Sequence, residues 1–567
     1  MSTRIVERDW SRDAYRALLG GGLHPVLARV FAARRIRTAA DLATDTAGLL
    51  SPSLLHRCEE AAVFLSDAIA AGRRLLIVAD YDADGATACA VGLRALRLMG
   101  AKVEYLVPNR FELGYGLTPE LVDLAAARKP DVIITVDNGI ASVEGVDRAR
   151  ELGIATLITD HHLPGRELPR AEVIVNPNQP GCGFPSKNLA GVGVMFYVML
   201  ALRAELRRRG SFAANPEPNL AMLTDLVALG TVADVVPLDA NNRILVAQGL
   251  RRLRAPTTKP GLEALLRVAG RARAEANCFD LGFVLGPRLN AAGRLADMSL
   301  GVECLVAEDA ARAANCAQEL DRLNRERRRI EGDMLAEAQA VLDRLEDDGG
   351  ATVSLFEPGF HQGVVGILAS RVRERLHRPA ICFARAGEAG PQSLLRGSGR
   401  SVPGLHLRDC LDLVSKAEPD LILKFGGHAQ AAGLTIREAD VARFRAAFES
   451  AASGMLPPEA RTRVVETDGG LGNEWITLEV AQLLGEQIWG QGFPEPRFCD
   501  TFRVESQRVV GERHLKLRLS KEGRRLEAIR FGSTDPLPAS ARLAYRLTVN
   551  EYNGLRTVQL NVEHSEP

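Results

Sequence analysis

Four short stretches of this chain carry residues able to do metal chemistry. The first is Leu75-Leu-Ile-Val-Ala-Asp-Tyr-Asp-Ala-Asp-Gly85, where an apolar run delivers Asp80, Asp82 and Asp84 at alternate positions before a glycine turn. Three crowded carboxylates repel one another unless a cation neutralises them, and oxygen donors in this number suit hard ions such as Mg2+ or Mn2+. The pattern recurs: Val132–Val136 ends at Asp137-Asn-Gly-Ile140, Ile154–Thr159 ends at Asp160-His161-His162, and Leu226–Ala233 ends at Asp234. One acidic turn alone is as often a solvated turn as a ligand set. Four apolar runs each ending in acid or histidine are a different matter. His161 adds an imidazole, which moves the preference toward Mn2+ without excluding Mg2+.

The elements around these residues explain how they could meet. Apolar runs at Leu75–Ala79, Val103–Val107, Val132–Val136 and Ile154–Thr159 read as buried strands, and Val173–Pro177 as another strand end. Between them Ala86–Leu98, Pro119–Arg128 and Val143–Glu151 read as helices. This alternation predicts an α/β fold, a parallel sheet covered by helices. Ligands of open α/β sheets bind beyond the carboxyl ends of the strands, so the acids would converge at one edge.

The rest of the chain divides by pattern. Residues 1–70 read as a helical cap and 71–308 as the catalytic α/β domain. A long proline-free helical stretch over 309–348 is a connector, whose Arg325–Arg329 region reads as a solvated face rather than a DNA contact, with Gly332 a candidate bend. Residues 349–455 form a second, smaller α/β lobe with glycine-rich loops at His361–Ile367, Gly397–Ser401 and Phe425–Gly433. Residues 456–567 hold five alternating strands, which predict an OB-like β-barrel. Arg497, Arg503, Arg508, Arg513, Lys516, Arg518, Arg524, Arg525 and Arg530 make those strands basic.

Lys plus Arg and Asp plus Glu both number 71, so the formal net charge is zero. A nucleic-acid partner would have to be met by positive charge gathered locally. Nine cysteines are scattered without a CxxC pair. That fits reduced thiols in a cytoplasmic protein rather than disulfides or zinc. No apolar run is long enough to cross a bilayer, and the first ten residues are charged rather than signal-like. No membrane partner is expected.

In order and rough spacing, Asp80-Tyr-Asp-Ala-Asp-Gly85, Val136-Asp-Asn-Gly139, Asp160-His-His162 and Ala233-Asp234 resemble the metal motifs of the DHH phosphoesterase superfamily. Pro108-Asn-Arg110, Glu112-Leu-Gly-Tyr-Gly116, Gly286–Arg294, His361–Ile367, Gly397–Ser401 and Gly426-Gly-His428 resemble its bacterial RecJ branch, single-strand-specific 5′ to 3′ DNA exonucleases. The resemblance covers about Leu75 to Leu434. It implies a DHH catalytic domain, a DHHA1 substrate-binding lobe and an OB-fold that grips DNA. The activity implied is two-metal hydrolysis of phosphodiesters in recombination and repair, with two Mn2+ or Mg2+ ions as cofactors. The implied partners are single-stranded DNA, single-strand-binding protein and a RecQ-type helicase, for a protein expected to be a monomer.

By the same resemblance Asp137 bridges the two ions, since a bridging residue must offer two oxygens. Asp82 holds one ion and Asp84 the other, with His161 and Asp234 completing the second. Asp80 joins the first or orients its water. Many superfamily members place a histidine before the acid pair, where this chain has Val78, which cannot ligate. His162 is expected to face substrate or support a ligand, and Asp160 to orient a histidine. Asn109, Arg110, Arg288 and Arg294 are assigned to phosphate positioning, the last two flanking a glycine-containing loop. Ser398, Arg400 and His428 are assigned to the 5′ end or the next phosphate. Tyr115 either packs as a hinge or stacks on a base.

Three other readings compete. A DHH enzyme for short oligonucleotides or cyclic dinucleotides would lack the terminal barrel. A non-catalytic replication scaffold would have lost acids that are present here. A pyrophosphatase would make no use of the connector and barrel.

Overall fold

The computed structural model describes residues 3–108, 116–213, 216–345, 349–387, 393–457, 460 and 462–566. The chain forms two compact units. One comprises Trp10–Arg327 with Gln482–Pro496, the other Met1–Asp9, Arg328–Ala481 and Arg497–Pro567.

The first unit is built on five parallel strands: β2 (Arg74–Ala79), β3 (Lys102–Leu106), β4 (Val132–Val136), β5 (Ala155–Thr159) and β6 (Val173–Val175). Their order is β3-β2-β4-β5-β6. The chain runs outward from β2 to β3, then returns to lay β4 on the other side, so the winding direction reverses between β2 and β4. Such a reversal opens a crevice beyond the strand ends. The acids after β2 and β4 stand at this crevice. Every residue of β4 is buried, as a strand covered by helices on both faces requires. Packed helices include Ala83–Leu98, Gly191–Arg208 and Thr224–Ala233.

Two elements of this unit go beyond the sequence reading. The apolar run before Asp234 is a helix, Thr224–Ala233, and Asp234 is its C-cap. A short run of uniformly apolar residues has no period, so a buried helix and a buried strand look alike. Gly286–Leu295 is likewise a helix rather than a loop, preceded by a π-helical stretch at Asp280–Leu285.

The segment Gln482–Pro496, expected to belong with the barrel, folds with this first unit. Trp489 and Phe493 pack against Phe31 at centroid distances of 5.5 and 6.0 Å, and the Arg243 guanidinium lies 4.5 Å from the Phe493 centroid. Leu238 N–H donates to the Gln491 carbonyl at 2.7 Å.

The Ala310–Arg344 helix contributes to both units and runs unbroken through Gly332. Its arginines are a solvated face: Arg322 pairs with Glu319 and Glu326, and Arg325 with Asp321.

In the second unit, β7 (Val353–Phe356), β8 (Ala380–Arg385), β9 (Leu394–Arg400), β10 (Lys424–Gly427) and β11 (Ala431–Arg437) form a sheet in the order β10-β11-β9-β8-β7. The glycine-rich stretches at Gly397–Arg400 and Phe425–Gly427 are therefore strands, not loops. Their glycines have a packing cause. A Cβ on Gly397 would lie 2.6 Å from Phe383, and one on Gly399 2.9 Å from Leu407.

Strands β13 (Phe498–Val510), β14 (His514–Lys521), β15 (Arg524–Arg530), β16 (Ser540–Tyr552) and β17 (Leu555–Glu566) close a barrel in the order β13-β14-β15-β17-β16. On β14, Leu515, Leu517 and Leu519 point inward while Lys516 and Arg518 alternate outward, as a period of two dictates.

The N-terminus is a further correction to a wholly helical cap. β1 (Thr3–Glu7) pairs in parallel with β12 (Arg463–Thr467), and Ile5 joins Val465, Cys499 and Ala544 in a small core.

Candidate metal centre

Each ligand candidate is presented by a local device. Asp82 is the N-cap of the Ala83–Leu98 helix, its Oδ1 accepting from Gly85 N–H at 3.0 Å. Asp80 Oδ1 accepts from Tyr81 N–H at 2.8 Å, which folds the carboxylate back over the turn. Asp84 lies in the first helical turn and accepts from Gly191 and Val192 N–H at 2.6 and 3.0 Å. Those amides open the Gly191–Arg208 helix, whose dipole favours an anion there. Asp137 leaves β4 at φ 63°, a left-handed conformation rare outside glycine and typical of functional sites.

These side chains meet. Asp80, Asp82 and Asp137 each offer an oxygen to one group whose atoms lie within 4.8 Å of one another, Asp84, His161 and Asp234 form a second such group, and Asp137, His161 and His162 a third. His161 Nε2 is 3.1 Å from Asp137 Oδ1, 3.5 Å from Asp234 Oδ2 and 3.9 Å from Asp84 Oδ2, which joins the groups.

The electrostatics are those of a site built for cations. Burial, then the charge of Asp82, push Asp80 and Asp84 up to about 7. Burial, then Asp84 and Asp82, raise Asp234 to about 9 and Asp137 well above the usual carboxylate range. Burial, then the neighbouring His162, depress His161 to about 4, so its ring is neutral. The His161 ring also hydrogen-bonds the backbone of Leu189, while Nε2 has no hydrogen-bond partner. A neutral imidazole whose other nitrogen is so engaged presents a lone pair. Asp137 Oδ1 is buried without a hydrogen bond as well. Two orphaned acceptors facing each other among carboxylates repel, and a divalent cation satisfies both. The donor set of oxygens with one imidazole fits Mn2+ or Mg2+.

His162 stands at the edge of this cluster and differs from His161 in charge. Burial would lower it, yet the bond from its Nδ1 to Asp160 Oδ1 at 2.7 Å and the surrounding acids raise it to about 9. Asp160 is held below its usual range: burial opposes this, but the His162 bond and the amides of Ile140 and His162 prevail. A charged, half-exposed imidazolium suits an anionic substrate better than a cation.

Several contributors escaped the sequence reading. A Cβ on Gly191 would stand 2.6 Å from Asp137 Oδ1, and one on Gly230 2.8 Å from Asp84 Oδ1. Both glycines make room for ligands. Asn290 Oδ1 accepts from Ala83 N–H at 2.7 Å and braces the acid turn. A clue existed in Ala190-Gly-Val-Gly, where glycines open an otherwise apolar helix.

Arg288 requires correction. Its guanidinium is buried, tied to Asp321 at 2.9–3.0 Å and to the Val284 carbonyl at 2.7 Å. With a carboxylate already in place it braces two helices instead of meeting phosphate. Arg294 is exposed at the end of its helix. Asn109, Arg110 and Tyr115 lie outside the described residues.

In the second unit Ser398 and Arg400 project from the same face of β9, and Arg400 Nη1 donates to Ser398 Oγ at 3.2 Å. Across the sheet Ser398 is level with Gly433 and Gly426, so that part of the face is floored by backbone. A Cβ on Gly366 would lie 3.4 Å from Ser398 Oγ and 3.6 Å from Arg400 Nη2. Burial, then the nearby Arg373, lower the Arg400 guanidinium, and no carboxylate pairs with it among the described residues. His428 is exposed at the β10–β11 turn, its Nδ1 accepting weakly from Gln430 N–H at 3.4 Å.

The barrel arginines are partly committed. Lys516 and Arg518 share Glu527, Arg525 pairs with Glu505, and Arg497 with Glu563. Arg524 donates to the Ile476 carbonyl at 2.8 Å. Arg503, Arg508 and Arg513 are exposed.

Known proteins share this architecture. Residues 74–231 match the DHH family N-terminal domain, 348–454 the DHHA1 domain and 467–564 the RecJ OB domain. The single-stranded-DNA-specific exonuclease RecJ of Dickeya dadantii is 51% identical over 563 residues, 97% of each chain. Crystal structures of Thermus thermophilus RecJ superpose over 100% of this chain. The Mn2+ complex gives a TM-score of 0.80 at 30% identity over 79% of that chain, and the Mg2+ complex 0.75 at 28% over 78%. This chain belongs to the RecJ family, with its DHH, DHHA1 and RecJ OB domains.

Proposed function

We propose that the protein is a metal-dependent exonuclease that hydrolyses single-stranded DNA from the 5′ end, in recombination and repair. The observation that carries this reading is the buried acid cluster in which Asp137 Oδ1 and His161 Nε2 face each other without hydrogen-bond partners. The naming of the Dickeya relative as a single-stranded-DNA-specific exonuclease supports the substrate. Asp80, Asp82 and Asp137 would hold one Mn2+ or Mg2+ ion, and Asp84, His161 and Asp234 the other. Bound there, the ions would supply an activated water and charge neutralisation for the phosphodiester.

The chain's own residues do the remainder. Asp160 keeps His162 protonated, so His162 presents a positive N–H to the substrate's phosphate. Asn290 and the Gly191–Val192 amides fix the acids against recoil. Ser398 and Arg400 receive a phosphate on the glycine-floored face of β9, with His428 at its rim, since a planar guanidinium without a carboxylate partner suits that anion. Arg294 remains assigned to phosphate positioning. The barrel tracks the strand's backbone. Single-strand-binding protein and a RecQ-type helicase as partners, action as a monomer, and a cytoplasmic location complete the proposal.

End-labelled single-stranded and duplex DNA, incubated with Mn2+, Mg2+ or EDTA, test the reading. Mononucleotides released stepwise from the 5′ end of single strands, in metal alone, are expected. Internal cuts, or equal attack on duplex, overturn it.

A further inference from the structure

The segment that leads into the Gly286–Leu295 helix leaves two aromatic rings in solvent. Phe279 is 58% and Phe283 65% exposed. Their rings stack at 5.1 Å between centroids with 24° between planes. The backbone between them is the π-helical stretch, a widened turn of a kind frequent at functional sites. It is held firmly. Asp280 N–H donates to Asn277 Oδ1 at 3.3 Å, Asn277 N–H donates back to Asp280 Oδ2 at 3.0 Å, and Arg271 Nε donates to Asp280 Oδ1 at 2.6 Å.

This stretch is tied to the metal centre from two sides. A Cβ on Gly282 would lie 3.2 Å from Val232 Cγ1, and one on Gly286 3.0 Å from Ala233 Cβ, so the stretch packs against the helix that ends in Asp234. Seven residues after Phe283, Asn290 braces the turn that carries Asp80, Asp82 and Asp84. Val235, next to Asp234, adds a third apolar side chain, 62% exposed, at φ 62°, a strained conformation for a β-branched residue.

A lone exposed apolar residue is ordinary. A pre-stacked pair on the elements that hold a catalytic cluster offers a flat π surface to a passing strand. Every nucleobase has a matching face, and single-strand binders use aromatic side chains in this way. A base inside a duplex has both faces covered by its neighbours. We propose that Phe279 and Phe283 form a stacking platform for unpaired nucleobases of the strand entering the metal centre, and thereby help to restrict the site to single strands. The proposal rests on the nuclease reading above. A nucleobase is favoured over a protein partner because the exposed surface is two stacked rings continuous with the metal-bearing elements.

The test uses the full-length protein and single strands carrying 2-aminopurine at one of the first six positions from the 5′ end, bound in EDTA. We expect fluorescence quenching at one or more positions with the unaltered protein. The Phe279→Leu/Phe283→Leu double variant, apolar but unable to stack, should lose it, and Phe279→Trp/Phe283→Trp should restore it. In Mn2+ the Leu variant should raise KM about tenfold and lower kcat by less, as loss of one stacked base implies. Quenching and KM unchanged in the Leu variant overturn the platform and leave the surface to a protein partner. Equal loss in the Leu and Trp variants also overturns it, as a packing effect. Phe-dependent quenching without hydrolysis by the unaltered protein supports the platform while overturning the nuclease reading.

Discussion

The crevice beyond β2 and β4 and the wall of the barrel both gather charge, and they do so in opposite ways. At the crevice, acids are buried against one another with partial relief from His162, and burial drives their proton affinity upward. On the barrel, Lys516, Arg518 and Arg525 sit in solvent and pair with Glu527 and Glu505. Exposed pairs contribute about 0–1 kcal/mol, whereas a buried, unpaired charge costs several kcal/mol. The difference teaches which kind of charge reports a ligand. A fold keeps a costly acid cluster where something else neutralises it, while a basic barrel face is consistent with DNA or with nothing.

The comparison breaks most sharply at Asp137. Asp137→Ala should lower kcat at least 1,000-fold, an expected loss of about 4 kcal/mol of transition-state stabilisation. The same variant should abolish most of the rise in Tm that Mn2+ gives the unaltered protein, read by differential scanning fluorimetry. Near-normal turnover in saturating Mn2+ would remove Asp137 from its bridging place.

Gly191→Ala should follow, at about 10- to 100-fold in kcat, because its Cβ would fall 2.6 Å from Asp137 Oδ1. Small displacements of a catalytic group are costly on this scale. Circular dichroism should show the fold retained, and unaltered kinetics would mean the carboxylate shifts freely.

Arg400→Ala should weaken binding of a 5′-phosphorylated oligonucleotide about tenfold, by titration in EDTA, with the Mn2+-induced rise in Tm unchanged. Charge-assisted bonds of about 1.5–3 kcal/mol set that size. Equal affinity in the variant would take Arg400 out of the substrate site.

The smallest effect belongs to the barrel. Arg508→Ala with Arg513→Ala should reduce affinity for long single strands two- to fivefold at low salt and flatten the salt dependence by about 0.7 per lost phosphate contact. An unchanged slope would leave the barrel's basic strands as an ordinary solvated wall.

Much of this was readable beforehand because it is local. Apolar runs closed by acids announce strand ends, and a period of two announces the barrel strands. Each of these signals lies within about ten residues. What failed was non-local or lacked a period. Leu226–Ala233 could have been strand or helix, and only its packing made it a helix with Asp234 at its end. Arg288 reads as a phosphate-positioning cation in sequence, and the structure sets Asp321 beside it. Glycines at 397 and 399 suggested ligand-hugging loops, and proved to be strand positions under Phe383 and Leu407.

By itself, then, the order of residues determined the parallel sheet, the closed barrel and the chemical type of the site. These follow from hydrophobic periodicity and from which atoms a cation accepts. Tertiary structure alone decided three further things. It paired β1 with a strand some 460 residues away. It returned Trp489 and Phe493 to Phe31. And it set Gly191 beside Asp137, so that a missing side chain makes room for a ligand. The reason is common to all three. Each depends on which distant segments share a surface, and that is fixed by packing of the whole chain, which no local pattern encodes.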